Sequence, residues 1–495
     1  MEHSIDVGVV SAVEPVMLAS SLTREFLLHH RVCPAGLAGD GSVIVAAAHD
    51  AHFVGVEDVA FAYGRSASRQ TVSRDELERL IERLTTRAER TIELARADTD
   101  TDDLATDVRD MANQPPVIRY VNLLVRDGYD AAASDIHLEA TRTGLSARFR
   151  VDGVLIAAPE PPSSLHLAVV SRIKLLAELD IAERRRPQDG RIRVRLEARE
   201  LDLRVSTVPT MFGESVVLRL LDHGGRPVTL NELGMSSSIL STMAALSARP
   251  HGLLLVTGPT GSGKTTTLYA ALQRRDALKE KIITVEDPIE YQLPGITQMP
   301  VHRQAGVTFG SALRAILRQD PDVVMIGETR DAETAEIAVQ AAMTGHLVFT
   351  TLHTNDAISA VPRLLDLGVP DYLVGATLEG VLAQRLVRQI CAGCREPYEA
   401  TADALSVFAG SSDRTVWRGA GCDACRGTGY RGRIGIFELF AMTDDLRDAI
   451  AARESRSRLR ALTADAGLVS LRDDGWLKVQ AGLTTIEEVM RVVQE

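Results

Sequence analysis

A chain of 495 residues is too long to close around one hydrophobic core, so several domains are expected, each burying its own interior. Hydrophobic content of 45% with 25% charged residues is ordinary for a soluble globular protein, and no apolar run approaches the roughly twenty residues of a membrane span. The net charge of −12 and the aromatic share of 4% argue against bulk nucleic-acid binding, and the start lacks a secretory pattern, which makes the cytoplasm the default location.

Residues 1–94 read as a small α/β module: a helix around 22–30, a strand at 42–46, and a charged helix from 73 to about 90. Ser73 and Glu76 have capping-box spacing, and Leu77, Leu80, Ile81 and Leu84 follow at helical intervals. His29, His30 and Cys33 cluster here, but without a fourth ligand they read as ordinary packing residues. Residues 95–115 are an acidic linker, carrying Asp98, Asp100, Asp102, Asp103, Asp107 and Asp110.

A second domain, 116–222, begins with a helix through Tyr120, Leu123 and Leu124 and continues in alternating strands. Leu145 to Val151 is one such strand, closed by an Asp152-Gly153 hairpin turn. Further along, Arg191, Arg193 and Arg195, then Arg204, fall on one face of a small sheet. Residues 223–245 read as a polar linker.

The next domain, 246–390, opens on the apolar run Leu253-Leu254-Leu255-Val256 and then Gly258-Pro259-Thr260-Gly261-Ser262-Gly263-Lys264-Thr265-Thr266. Strand, glycine loop and helix in that order make a P-loop, whose backbone N–H groups cradle phosphate. Lys264 supplies charge for the β- and γ-phosphates, and Thr265 a hydroxyl for Mg²⁺. ATP with Mg²⁺ is the expected ligand. A second buried strand ends in Glu286-Asp287-Pro288-Ile289-Glu290 and a third in Gly327-Glu328, where many P-loop enzymes have Asp in place of Gly327. A fourth is bracketed by His346 and His353.

Cys391, Cys394, Cys422 and Cys425 form two C-x-x-C pairs in an arm, 391–440, and four thiolates suit a closed structural Zn²⁺ site. Residues 441–495 read as helical.

The P-loop, Ile283-Thr284-Val285-Glu286-Asp287-Pro288-Ile289-Glu290, Leu317-Arg318-Gln319-Asp320-Pro321-Asp322 with Gly327-Glu328-Thr329-Arg330-Asp331, and Gly345-His346 with Leu352-His353-Thr354-Asn355 together resemble the secretion ATPases of type II secretion and type IV pilus machines. The likeness extends through Ala133-Ser134-Asp135-Ile136-His137, Gln188-Asp189-Gly190-Arg191 and the tetracysteine arm, covering the chain after about residue 115. The arm looks like that of the assembly and secretion motors rather than the pilus retraction motors, and the single short amino-terminal module looks more like the type II secretion motors than the longer pilus assembly motors; a pilus assembly motor and a nucleic-acid motor are the alternatives.

The resemblance implies a multidomain α/β fold: a RecA-like P-loop ATPase core, a preceding PAS-like domain, the small amino-terminal module and a zinc arm. It implies a homo-hexamer that couples ATP hydrolysis to pseudopilus assembly, peripheral on the inner membrane, its amino-terminal module meeting a secretion-platform protein and no nucleic acid. On the same carry-over Glu290 is the base or water-positioning group, Glu328 polarises the metal-water shell and His353 reads the γ-phosphate. Arg191 and Arg204 would close from the preceding domain, while Arg314, Arg318 and Arg330 would act at phosphates or subunit contacts.

Overall fold

The computed structural model describes residues 22, 24–38, 42–51, 53–63, 65–82, 112–196, 199–222, 228–405, 408 and 415–493. The expected acidic linker up to residue 111, and the charged helix beyond residue 82, lie outside the described residues.

The amino-terminal module is a three-stranded sheet, β1 (Val32–Leu37), β2 (Val43–Ala47) and β3 (Ala67–Thr71), covered by helices Arg24–His30 and Phe53–Tyr63. Its core gathers Leu27, Val43, Val45, Val59, Leu77 and Ile81, and the Ser73 hydroxyl accepts the Glu76 N–H as capping chemistry requires. Cys33 is a core side chain whose thiol burial pushes up to about 12, in keeping with a packing role.

The second domain has six antiparallel strands: β4 (Ala133–Ala140), β5 (Leu145–Val151), β6 (Val154–Ala157), β7 (Gln188–Leu196), β8 (Arg199–Thr210) and β9 (Gly213–Asp222), in the order β6-β5-β4-β9-β8-β7. Asp152 and Gly153 both take positive φ, 50° and 86°, the backbone a two-residue hairpin between twisted strands demands. Alternation sends Ile136, Leu138, Phe149, Leu203, Val205 and Leu218 to one face, where helices Pro115–Asp130 and His166–Leu176 bury them. The opposite face carries the arginines.

The third and largest sheet contains β10 (Gly252–Thr257), β11 (Ile282–Glu286), β12 (Thr297–Pro300), β13 (Val323–Ile326), β14 (Leu347–Leu352) and β15 (Leu378–Ile390). An arm with β16 (Arg395–Glu399) and β17 (Thr415–Gly419) follows, and β18 (Tyr430–Ala441) then returns to give the order β12-β11-β13-β14-β10-β15-β18. The central strands are parallel and buried on both faces, which is why they read as unbroken apolar runs; β18 lies antiparallel to β15.

Two expected boundaries move. Within the stretch read as a linker at 223–245, Leu230, Ile239 and Met243 are buried against Leu254, Phe349 and Phe437, and helix Ser237–Ser247 belongs to the ATPase domain. Its serine-rich sequence looks polar, yet Ile239, Met243 and Leu246 recur at i, i+4 and i+7 and make one buried stripe. At the other end β18 pairs with β15 from Ile390↔Tyr430 to Gly380↔Ala441, so the last part of the expected arm closes the sheet.

Four helices, Asp444–Ala451, Arg456–Asp465, Leu471–Gln480 and Ile486–Val493, cover this end. The last is pinned by Glu488, 2% exposed, which accepts from Arg388 (2.7 Å) and from Arg491 (2.7 Å). Burial by itself would raise this carboxyl, but the two arginines outweigh it and hold it down to about 2. A carboxyl depressed in the folded state contributes stability above its unfolded value, and that contribution drains away as pH falls through the folded one. Glu488→Gln should therefore destabilise the carboxy-terminal helices by about 2–3 kcal/mol at pH 7. Thermal unfolding measured across pH should show the difference from the parent closing between 4.5 and about 2.

Candidate active site

The parallel strand β10 delivers the chain to Gly258, and the helix Lys264–Leu272 leaves with its amino end beside the loop. Gly258, Gly261 and Gly263 have φ of 150°, 80° and 85°, values that let successive N–H groups turn inward. The Lys264 ammonium donates to the carbonyl oxygens of Gly258 (2.8 Å) and Pro259 (3.0 Å), which places it across the loop's mouth. Burial lowers it to about 8; Arg385 adds to that shift and Glu328 opposes it. The Ser262 hydroxyl is buried within the loop with no hydrogen-bond partner, an orphan that a phosphate oxygen would satisfy. Thr265 and Thr266 stand half-buried in the helix's first turn, so the loop fits a nucleotide phosphate and the Thr265 hydroxyl fits a Mg²⁺ ligand.

At the carboxyl ends of the neighbouring strands, Glu328 pairs with Arg330 (2.7 Å) and lies 3.6 Å from the His353 Nε2. Burial and then Lys264 hold the His353 imidazole below its ordinary value, so it is neutral at pH 7. At Gly327, where many P-loop enzymes carry an acid, a Cβ would stand 3.3 Å from the Val285 carbonyl oxygen, a tight contact that a side chain could make only with a small shift of the backbone. Lys264, Glu328, Arg330 and His353 thus form one constellation.

Glu290 is half-buried after β11, its N–H donating to the Tyr269 hydroxyl at 3.4 Å. Glu286, by contrast, is buried behind the site, accepting from Tyr269, from Thr284 at 2.5 Å and from Gln298 at 3.1 Å. It is a scaffold carboxylate.

Across from Glu290 stands the arginine face of the second domain. Strand register sets Arg191, Arg204, Arg219, Asp135 and Arg150 in one lateral row over β7, β8, β9, β4 and β5. Burial lowers the Arg204 guanidinium, the Glu290 charge opposes that, and Arg191 and Arg219 lower it further. Arg219 donates to Asp135 at 2.8 Å, and although burial alone would raise the Asp135 carboxyl, Arg219 and Ser134 keep it below the usual range. Alternation points to the arginine face, but the partnership with Asp135 depends on a register that only the folded sheet reveals.

Three expected residues sit elsewhere. His346 precedes β14, at the strand end away from the phosphate loop, with Nδ1 2.9 Å from the Ala341 carbonyl oxygen; it closes a helix end. Arg314 pairs with Glu333 at 2.5 Å, and Arg318 donates to the Arg314 carbonyl oxygen at 2.9 Å. Both are exposed, Arg314 in the last turn of helix Phe309–Ile316 and Arg318 just after it, and no contact among the described residues brings them to the loop. Two neighbours of the loop were missed, Gln384 and Arg385 on β15, although a polar residue and a charged one inside the apolar run Gly380-Val381-Leu382-Ala383-Gln384-Arg385-Leu386-Val387 are themselves a signal of special burial.

In the arm, Sγ···Sγ separations are 3.8 Å for Cys391 and Cys422, 3.8 Å for Cys394 and Cys425, and 3.7 Å for Cys422 and Cys425. Four sulfurs at about 2.3 Å around a tetrahedral zinc would be about 3.8 Å apart, so the donor set fits that ion. Backbone N–H groups of Gly421, Cys422 and Gly429 point at Cys394 and Cys425 sulfurs, which favours the thiolates.

Residues 110–491 match the family model described as Type II/IV secretion system protein. Type II secretion system protein HxcR of Pseudomonas aeruginosa is 48% identical, over 87% of this chain and 90% of that protein. Type II secretion system protein E of Xanthomonas campestris is 43% identical over 99% and 88%, and type II secretion system ATPase E of Vibrio cholerae 48% over 79% and 78%. Among solved structures, the pilus retraction motor PilT with bound ADP aligns with a TM-score of 0.50 at 25% identity, over 76% of this chain and 97% of that one. The Yersinia pseudotuberculosis ATPase DotB shares the fold, with a TM-score of 0.57 at 21% identity over 77% and 95%. The extent of the family match, with the loop geometry beneath it, means that this chain belongs to the Type II/IV secretion system protein family and is one of its ATPases.

Proposed function

We propose that this chain is the hexameric motor of a type II secretion machine, hydrolysing ATP to drive pseudopilus assembly and protein export. The observation that carries the reading is the arginine row of the second domain, whose Arg204 feels the charge of Glu290 at the edge of the phosphate loop. A domain that turns Arg191 and Arg204 toward a phosphate site is drawn in by a triphosphate and loosened when the γ-phosphate is lost, which turns chemistry into motion.

In this scheme loop N–H groups and Lys264 hold the β- and γ-phosphates, and Thr265 holds Mg²⁺, which neutralises phosphate charge when bound. Glu290 orients a water and takes its proton as the water oxygen attacks the γ-phosphorus and the bond to the β–γ bridging oxygen breaks. Glu328, fixed by Arg330 and His353, orders the water shell, and the neutral His353 donates to the γ-phosphate. Arg191 and Arg204 complete the site. Cys391, Cys394, Cys422 and Cys425 would hold a structural Zn²⁺ that keeps the arm folded for partner contact.

Among the described residues no helix is long and apolar enough to cross a membrane. The amino-terminal module therefore serves as the membrane link in this proposal, docking on an inner-membrane platform protein and holding the hexamer peripherally on the cytoplasmic face.

Lys264→Ala should abolish ATP hydrolysis by the purified chain with little change in unfolding temperature; turnover at the parent rate would remove this loop from the mechanism. Glu290→Gln should bind a fluorescent ATP analogue within about threefold of the parent while slowing turnover about a hundredfold. Arg191→Ala and Arg204→Ala should each bind ATP within several-fold yet lose about 10³-fold in turnover, and secretion in a complemented strain should fail. Elemental analysis of protein purified without chelator should give about one zinc per chain, lost in Cys422→Ser.

A further inference from the structure

Strand β15 runs on past the end of β10: Thr257 lies opposite Ala383, so Gln384 and Arg385 continue beneath the phosphate loop. Arg385 is only 4% exposed. Its Nη2 donates to the Asn355 carbonyl oxygen at 2.8 Å and its Nη1 to that of Gln384 at 3.2 Å. A Cβ placed on Gly258 would come within 3.1 Å of the same Nη1 and 2.5 Å of the Gln384 carbonyl oxygen, so the loop's first residue rests directly on this guanidinium. Asn355 follows His353 and Thr354, and Thr354 is itself bound to Thr257, its N–H donating to the Thr257 hydroxyl at 2.9 Å. Gln384 also reaches under the loop's far end, accepting from Thr267 at 2.6 Å.

Two halves of the nucleotide site therefore meet on β15. One half is the loop with Lys264, which takes the β-phosphate side; the other is the segment after β14 with His353, on the γ-phosphate side. A guanidinium is permanently charged and presents its donors in a rigid fork, so it can fix the separation of two backbone segments as an ammonium cannot.

We propose that Arg385 is a positioning residue for ATP hydrolysis, a buried guanidinium that packs under the first residue of the phosphate loop while hydrogen-bonded to the segment carrying His353. The proposal rests on the reading of the loop as the hydrolytic site, and it deepens that reading by naming the residue that sets the site's width. Arg385 acts through the backbone it supports, at Gly258 and Asn355. Its loss lets the two halves separate, so contacts made by both together, at the transition state, suffer more than ground-state binding.

The test uses the full-length chain with Arg385→Lys, which keeps charge but loses the fork, and Arg385→Met, which keeps bulk alone. Turnover is measured per folded chain, with unfolding temperature and oligomeric state as controls, alongside His353→Ala and the double variant Arg385→Met/His353→Ala. We expect kcat to fall about tenfold or more in Arg385→Met and less in Arg385→Lys, with the ATP KM and the ADP Kd within about threefold of the parent. Adding Arg385→Met to His353→Ala should lower kcat by no more than about a further threefold, because both remove the same alignment. A kcat within twofold of the parent in folded Arg385→Lys and Arg385→Met, or losses that simply multiply in the double variant, would overturn the proposal. Should Arg385→Met not fold, Arg385→Lys and its own double variant with His353→Ala decide by the same criteria. Failure of the parent chain to hydrolyse ATP would instead overturn the functional reading beneath it.

Discussion

The constraint on which this molecule turns is the alignment of like charges across one sheet. Neighbouring strands lie about 4.8 Å apart, and like charges set opposite each other across them are destabilising. Arg191, Arg204 and Arg219 nevertheless occupy successive positions of one row, with Asp135 the one carboxylate in it. Two unit charges about 5 Å apart at an effective dielectric near 20 repel by about 3 kcal/mol, which splayed side chains and solvent reduce. The row persists because register is not free to change. A one-residue slip of β8 would carry Leu203 and Val205 out of the core and put Arg204 into it, at far greater loss. Hydrophobic burial on one face thus holds an unfavourable charge pattern on the other, and an anion of high charge is what relieves it.

Relief of that strain has to reach the rest of the chain, and β15 and β18 are the structure that connects the parts. β15 is hydrogen-bonded to β10, which leads into the phosphate loop, and to β18, which leads out of the cysteine arm. β18 also touches the second domain: the Gly432 N–H donates to the Asp152 carboxylate at 2.8 Å, with Arg433 3.7 Å away. Asp152 belongs to the tight turn between β5 and β6, so a rigid hairpin grips the strand just after the arm. This contact joins the second domain to the strand that leaves the arm, and β15 joins that strand to the phosphate loop, so in the proposed cycle a movement of the second domain would be passed to both.

How much of this could be read in the chain follows from which forces are local. The phosphate loop, the apolar parallel strands, the Asp152-Gly153 turn and the paired cysteines depend on spacing and composition, and the structure forms them where the residues suggest. Helix Ser237–Ser247 eluded that reading because small residues and serines separate its apolar positions, and the stripe they form gains meaning only against Leu254 and Phe349. His346 and His353 bracket β14, so they lie at opposite ends of it and only His353 reaches the phosphate edge. Gln384 and Arg385 could be suspected as charged or polar residues in an apolar strand, but their place beneath Gly258 is a consequence of β15 outrunning β10. The pairing of Asp135 with Arg219 spans β4 and β9, distant in sequence and adjacent only after the sheet forms.

The arginines of the site fall into two physical classes, and the division suits a machine that both grips and releases. Arg385 is buried at the site and donates to the Asn355 and Gln384 carbonyl oxygens, and Arg388, further along β15 and away from the loop, is half-buried against the carboxylate of Glu488. Displacing such a group exposes polar atoms that have no replacement partners, so it stays in place through a reaction cycle. Arg314 and Arg330 are more than half exposed, each with one carboxylate, Glu333 and Glu328. Exposed pairs of this kind contribute about 0–1 kcal/mol, little enough that a phosphate or a carboxylate of another chain can replace the partner without disturbing the fold. Arg330 thus steadies Glu328 beside Lys264, while Arg314 keeps an exposed carboxylate partner that a second charged group can displace; buried Arg385, by contrast, holds the backbone beneath the loop.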